Sequence, residues 1–209
     1  MTIEGDRMTR VVKQENIDEV VEAVFNNQVV AFPTETVFGV GVRFNSKQAL
    51  DALMEAKNRD YSKPITLMVY DKKEIEKYAY INKDIEKIVD TFMPGMLTLV
   101  FKKKESVDSL MTNGKETIGI RIPDHQWVLS LLKKTGPMLV TSANLSQHQN
   151  TTTTKAVLEQ LDGRIELVVD GKTNDTIAST VVDVSTGEIK ILREGKITGK
   201  EIKDAINKF

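Results

Sequence analysis

The stretch Val29-Val-Ala-Phe-Pro-Thr-Glu-Thr-Val-Phe-Gly-Val-Gly41 decides the reading of the fold. Its first four residues are an unbroken apolar run, the pattern of a buried strand, and Pro33 stops it because proline cannot donate to a ladder. Directly after the stop stand two hydroxyls and a carboxylate, Thr34, Glu35 and Thr36. On the N-terminal side, Ile17, Val20, Val21, Val24 and Phe25 recur at i, i+3, i+4, i+7, i+8. That spacing predicts a helix capped by Asn16, with Glu19 placed to return a hydrogen bond in a capping box. On the other side, Ala49, Ala52, Leu53 and Ala56 predict a second amphipathic helix. A buried strand between two helices points to an α/β layer architecture. Open α/β sheets hold ligands at strand ends, so Phe32–Gly41 is a candidate site. The competing reading is a capped turn whose glycines serve backbone geometry.

The rest of the chain repeats the alternation. Strands are predicted at Pro64–Tyr70, Leu97–Phe101, Thr117–Ile122, Met138–Thr141 and Glu166–Val169. Helices are predicted at Lys72–Tyr78, Asp84–Phe92 (ended by Pro94-Gly95), Gln126–Lys133 and Thr154–Leu161. Ser179–Val184 and Glu188–Leu192, separated by Ser185-Thr-Gly187, read as a hairpin. Thr198 and Glu201 form a capping box opening a last helix. The expectation is one α/β domain over residues 1–209, a twisted mixed β-sheet flanked by helices. Residues 1–14 are an extension or edge strand, and 196–209 a C-terminal helix.

Composition excludes several classes. The 209 residues carry 29 Lys+Arg against 30 Asp+Glu, 40% hydrophobic residues, two His and no Cys. Disulfides, thiolate nucleophiles and Cys-based zinc sites are therefore out. There is no apolar N-terminal stretch and no long uncharged apolar run, so neither a signal peptide nor a membrane span is expected, and the cytoplasm is the expected compartment. Gly39-Val-Gly41 lacks the third glycine of a dinucleotide fingerprint, because Phe44 occupies that place. Gly171-Lys-Thr173 lacks the leading glycine of a P-loop, because Glu166 stands there.

The remaining candidates are polar clusters. Lys57-Asn-Arg59 closes a helix, where cations complement the dipole, but with Lys63 it could instead face a polyphosphate. Arg121 interrupts the apolar strand Thr117–Ile122; such an arginine either pairs with an internal carboxylate or grips an anionic ligand. Thr141-Ser-Ala-Asn144 follows a strand and could bind phosphate or form an Asx- or ST-turn. Ser179-Thr180 and Arg193 open and close the C-terminal hairpin.

In this order the segments resemble the YrdC/Sua5 family, the threonylcarbamoyl-AMP synthases. The matching elements are Phe32–Gly41, Lys57-Asn-Arg59, Lys63-Pro64, Pro94-Gly95 with Leu97-Thr98, Arg121-Ile-Pro123, Thr141–Ser146, Ser179–Asp183 and Leu192–Gly195. The family's K-x-R and S-x-N pairs stand as Lys57/Arg59 and Ser142/Asn144. Met96 departs from a common second proline, Phe38 from tyrosine and Gln147 from glycine. The chain resembles the short form without the extra C-terminal domain.

The resemblance implies a YrdC-like fold with a concave basic cavity on one face. It also implies an enzyme, a nucleotidyltransferase that converts L-threonine, bicarbonate or CO2, and ATP into threonylcarbamoyl-AMP and pyrophosphate. The product would serve N6-threonylcarbamoylation of tRNA adenosine 37 through separate transferase proteins, so tRNA is an indirect partner. By the same resemblance Lys57, Arg59, Ser142 and Asn144 are the catalytic set. Lys57, Arg59, Lys63, Asn144 and Arg193 bind ATP, with Thr117, Thr141 and Thr152 as further nucleotide contacts. Arg121 is the clamp for the threonine carboxylate through a bidentate contact, and Thr34 or Thr36, Ser142 and Ser179 orient the rest of that substrate. No metal residues are assigned; Mg2+ arrives with ATP. The alternatives are an RNA-binding module, for which 6% aromatic residues give little stacking surface, and a YciO-like paralogue or a carbamoyl-handling domain of the hydrogenase maturation type.

Overall fold

Local caps set most of the helix starts. The computed structural model describes residues 8–207. Its strands are β1 (Arg10–Val12), β2 (Val30–Phe32), β3 (Gly39–Arg43), β4 (Thr66–Met68), β5 (Leu97–Lys102), β6 (Thr117–Arg121), β7 (Met138–Ser142), β8 (Leu167–Val169), β9 (Thr180–Asp183) and β10 (Lys190–Arg193). The helices are α1 (Ile17–Phe25), α2 (Lys47–Ala56), α3 (Lys72–Tyr78), α4 (Lys83–Phe92), α5 (Gln126–Thr135), α6 (Thr154–Leu161) and α7 (Gly199–Asn207). Ser46, Asp71, Asn82 and Thr153 each accept a backbone N–H from the residue three positions on, as N-caps should. The Thr198/Glu201 box forms in both directions, at 2.8 and 3.3 Å. The box expected at Asn16 does not form. A 3-10 turn over Gln14–Asn16 runs straight into α1, and the Asn16 amide meets the Glu19 carboxylate instead, at 2.7 Å. Residues 1–7 and 208–209 of the expected terminal segments lie outside the described residues.

The strands form one ten-stranded mixed sheet, ordered β1-β8-β2-β3-β7-β4-β6-β5-β9-β10. β1/β8, β2/β8, β4/β6 and β5/β9 run parallel, while the remaining pairs, including the expected β9–β10 hairpin, are antiparallel. The strand β3 was not expected. The polar run after Pro33 is the loop of a β2–β3 hairpin, with Phe32 opposite Gly39 and Val30 opposite Gly41.

Period-two alternation explains the layers. One face, with Val40, Leu67, Leu99, Phe101, Ile120 and Val182, packs against helices α2, α3, α4, α6 and α7. The other face is covered by α1 and α5, which bury Phe32, Met138, Val140 and Leu167. That cover stops partway across the sheet. Farther on, Thr98 and Val100 of β5, Thr117, Gly119 and Arg121 of β6, and Val181 and Asp183 of β9 face a cavity lined by no residue of α1 or α5. The candidate site thus lies on a sheet face, bordered by the loop after β2 and the end of β7. Strand-interior polar residues turn up there because alternation gives their neighbours to the core.

Candidate functional site

The cavity holds about 470 Å³ and its charged lining residues are Arg59, Lys115, Arg121 and Arg193 against Asp183. The β2–β3 loop forms one wall. Thr34 and Thr36 are 3% and 1% exposed, with their hydroxyls 3.0 Å apart. Thr34 gives its single proton to the Val37 carbonyl at 2.8 Å and accepts from the Thr36 N–H at 3.1 Å. Thr36 must therefore donate to Thr34, while accepting from Arg121 Nη2 at 3.2 Å. Thr34 has no lone pair to spare, and Thr36 keeps one.

Arg121 is 5% exposed and closely held. Its Nη2 donates to Glu35 Oε1 at 2.6 Å and its Nε to the Gly95 carbonyl at 3.2 Å. Of the two readings left open for an arginine in an apolar strand, the internal carboxylate is realised. The bidentate fork expected for a substrate is accordingly part-used, and Nη1 is the nitrogen without a protein partner among the described residues. Pro94-Gly95 serves this arrangement. A Cβ at Gly95 would stand 2.6 Å from the Phe92 carbonyl, so only glycine lets the chain turn tightly enough to present its carbonyl to Nε.

The K-x-R and S-x-N pairs form one unit. Asn58, in the left-handed region at φ 47, ends α2 and turns the chain between Lys57 and Arg59. Lys57 is 1% exposed, and its Nζ donates to the carbonyls of Ser142 and, at 2.5 Å, Asn144. The Lys57 carbonyl accepts from Ser146 N at 3.1 Å. Asn144 spends both amide protons on the carbonyls of Leu145 and His148, at 2.7 and 2.9 Å, and its Oδ1 is buried without a partner. It braces its own loop and offers no donor to a phosphate. That loop also holds Gln147 at φ 71, a conformation glycine adopts without strain. Arg59 bonds the Pro64 carbonyl through Nη2 and leaves a buried, unpartnered Nε.

Burial and then the Arg59 charge push Lys57 down to about 7. Burial likewise lowers Arg59, and burial followed by the charge of Arg121 lowers Arg193. Arg193 is engaged as well, donating through Nε and Nη2 to the Ser179 carbonyl at 3.0 and 2.8 Å. The Ser179 hydroxyl shares a 2.9 Å hydrogen bond with Thr98. A register shift in β10 between Ile191 and Arg193 breaks the alternation, so both Leu192 and Arg193 line the cavity.

Of the expected site residues, Thr34, Thr36, Arg59 and Thr117 reach the lining, as do Arg121, Thr141, Ser142, Ser179 and Arg193. Lys57 and Asn144 lie behind the wall. Lys63 is off the lining, its carbonyl receiving Asn113 Nδ2 at 3.3 Å. Thr152 is off it too; its buried neighbour Thr151 carries the structural hydroxyl, bonded to the Ala143 carbonyl at 2.8 Å. Sequence reasoning missed Glu35 as the partner of Arg121, and Lys115, Thr98 and Asp183 as lining. The neighbour of Leu97 in the Pro94–Thr98 motif was the one available signal for Thr98.

The chain is similar to known proteins over most of its length. The family model Sua5_yciO_yrdC, described as telomere recombination, matches residues 22–195. A putative threonylcarbamoyl-AMP synthase of Methanocaldococcus jannaschii is 34% identical over 175 residues, covering 83% of each chain. A threonylcarbamoyl-AMP synthase of Bacillus subtilis is 36% identical over 86% of this chain and 53% of its own, so this chain spans about half of that relative. The structure of P. abyssi Sua5 complexed with L-threonine superposes with a TM-score of 0.88 at 31% identity, covering 95% of this chain and 60% of that one.

Proposed function

The chain belongs to the Sua5/YciO/YrdC family, and from that membership we propose that it makes threonylcarbamoyl-AMP and pyrophosphate from L-threonine, CO2 or bicarbonate, and ATP. It is on this reading a nucleotidyltransferase whose product is the donor for N6-threonylcarbamoylation of tRNA adenosine 37. The observation that carries the reading is the convergence of Arg59, Arg121 and Arg193 with the hydroxyls of Thr36, Ser142 and Ser179 on one cavity.

The chemistry needs a small amino acid and a polyanion side by side. The neutral threonine amine adds to CO2 and loses a proton, forming a carbamate. A carbamate oxygen then attacks the α-phosphorus, and the bond to pyrophosphate breaks. Arg121 Nη1 faces the threonine carboxylate, and Thr36, with its spare lone pair, accepts from the substrate where Thr34 cannot. Ser142 and Ser179 border the same end. Arg59, with Thr117, Thr141 and Arg193, meets the phosphates, where preorganised cations offset the charge that develops in transfer. Lys57 acts from behind by fixing the carbonyls of Ser142 and Asn144. Among the described residues no group of three or more His, Asp or Glu is gathered to hold an ion. Mg2+ carried by the ATP phosphates would neutralise the leaving pyrophosphate.

Purified protein given ATP, Mg2+, threonine and bicarbonate is expected to release pyrophosphate and form threonylcarbamoyl-AMP, detected by mass spectrometry. Omitting threonine or bicarbonate abolishes both. If the complete mixture yields neither product, the proposal is wrong.

A further inference from the structure

Glu35 has no part in the function reached so far, yet it lies beside the lining residue Arg121 with Oε1 engaged and Oε2 buried without a partner. Its side chain is 12% exposed beside that of Arg121 at 6%, and the two meet at 2.6 Å. The same oxygen, Oε1, also accepts the backbone N–H of Asp124 at 2.9 Å. Glu35 is thus anchored to the start of the segment leading into α5 independently of Arg121.

The consequence falls on Arg121. Nε is taken by Gly95 and Nη2 by Glu35 and Thr36, so two of three nitrogens are spent on the protein. A guanidinium is planar, so fixing two nitrogens fixes the direction of the third. We propose that Glu35 is a positioning residue for the amino-acid substrate: it holds Arg121 so that Nη1 alone is presented, and the substrate carboxylate is gripped through that one nitrogen, not by a two-nitrogen fork. This rests on the assignment of Arg121 to the threonine carboxylate.

The arrangement also sets the charge. Arg121 brings one positive charge and Glu35 one negative, so an incoming carboxylate meets an aimed donor in a locally balanced site. Binding is then governed by geometry more than by raw attraction. Removing the charge while keeping the acceptor oxygen should leave the aim intact and strengthen attraction; removing the whole carboxyl group should lose the aim.

The test is steady-state kinetics of wild type, Glu35→Gln and Glu35→Ala, with the KM for threonine, the KM for ATP and kcat measured separately. The amide of Glu35→Gln retains an oxygen that can accept from Arg121 and Asp124. The expected pattern is a threonine KM raised at least tenfold in Glu35→Ala, with the ATP KM within about threefold of wild type. In Glu35→Gln the threonine KM stays within about threefold of wild type or falls. The ATP KM and the melting temperature report whether Glu35→Ala is folded, and Glu35→Gln keeps the test alive if it is not.

Other patterns overturn the inference. A Glu35→Gln that loses kcat as severely as Glu35→Ala, at unchanged threonine KM, makes Glu35 a proton-transfer group. A lower threonine KM in both variants makes it a plug competing for Arg121. Equal losses for threonine and ATP make it merely structural, and unchanged kinetics in both leave it no role. A wild type that forms no product overturns the function reading first; an active wild type whose variants depart from the pattern overturns Glu35 alone.

Discussion

Two corners of the cavity handle positive charge in opposite ways. At Arg121 the cation comes with its own carboxylate, Glu35, plus a hydroxyl and a carbonyl. At Lys57 and Arg59 two cations sit within each other's field, with only backbone carbonyls as partners among the described residues. A buried cation matched by a carboxylate is charge-compensated without a ligand, even though desolvating the pair is itself costly. Two unmatched cations are not, and Lys57 responds by falling to about 7. The first corner suits a ligand of one charge held by direction. The second would gain most from a polyanion that supplies the missing negative charge.

The contrast predicts that the corners fail for different substrates. Arg59→Ala removes one of two unmatched cations from the phosphate side, and loss of such a preorganised charge is worth about 10²–10³ in rate. The expected result is that fall in kcat/KM for ATP, with the threonine KM little changed. Arg121→Ala should show the mirror image: about a 100-fold loss in kcat/KM for threonine, the scale of a charged hydrogen bond, with ATP dependence nearly intact. Initial rates with each substrate varied in turn decide the matter. Equal losses on both axes in both variants would erase the distinction.

Which parts of this were legible in sequence follows from the range of the forces involved. Caps act within three residues, so the start of α7 could be read from the Thr198/Glu201 box, while the 3-10 turn before Asn16 defeated the same logic. The basic positions and hydroxyls were legible as a motif set, but their partners were not. Glu35 and Arg121 are 86 residues apart, and no local pattern joins them. Strand β3 was hidden by Gly39 and Gly41, poor strand formers. The sheet explains them: a Cβ at 39 would lie 3.0 Å from Val140 Cγ1, and one at 41 would lie 2.9 Å from the Leu139 carbonyl. Lys57 resisted for another reason. Its acceptors are backbone carbonyls, which every sequence has.

A subtler effect sharpens the comparison through protons. Lys57 is lowered from 10.5 to about 7 by burial and Arg59, so at pH 8 the free protein holds it mostly neutral. A polyphosphate nearby favours the charged form, so the complex binds more protons than the free protein, and ATP binding at pH 8 should take up a proton. The uptake approaches one proton per site at pH 8 and fades below pH 6, where Lys57 is already charged. Calorimetry in two buffers of different ionisation enthalpy measures it, and Lys57→Met should abolish it. Threonine binding at the matched Arg121 corner should show no such uptake at pH 8. Proton release on ATP binding, or uptake that survives in Lys57→Met, would contradict the unmatched-cation account.

The smallest expected effect belongs to Lys115, which also lines the cavity but is exposed at its rim. Its charge is solvated before and after a ligand arrives, and solvent-exposed charge pairs contribute roughly 0–1 kcal/mol and weaken with salt. Lys115→Ala should therefore raise the ATP KM by less than about fivefold, and the difference from wild type should shrink further as NaCl is raised. Arg59→Ala should keep most of its defect under the same conditions, because its charge is partly buried and reaches the ligand through little water. Titrating salt against the ATP KM for both variants separates the two cases. A Lys115→Ala defect as large and as salt-resistant as that of Arg59→Ala would mean that exposure does not rank these cations. The corner at Lys57 and Arg59 would then owe its strength to something other than unmatched, buried charge.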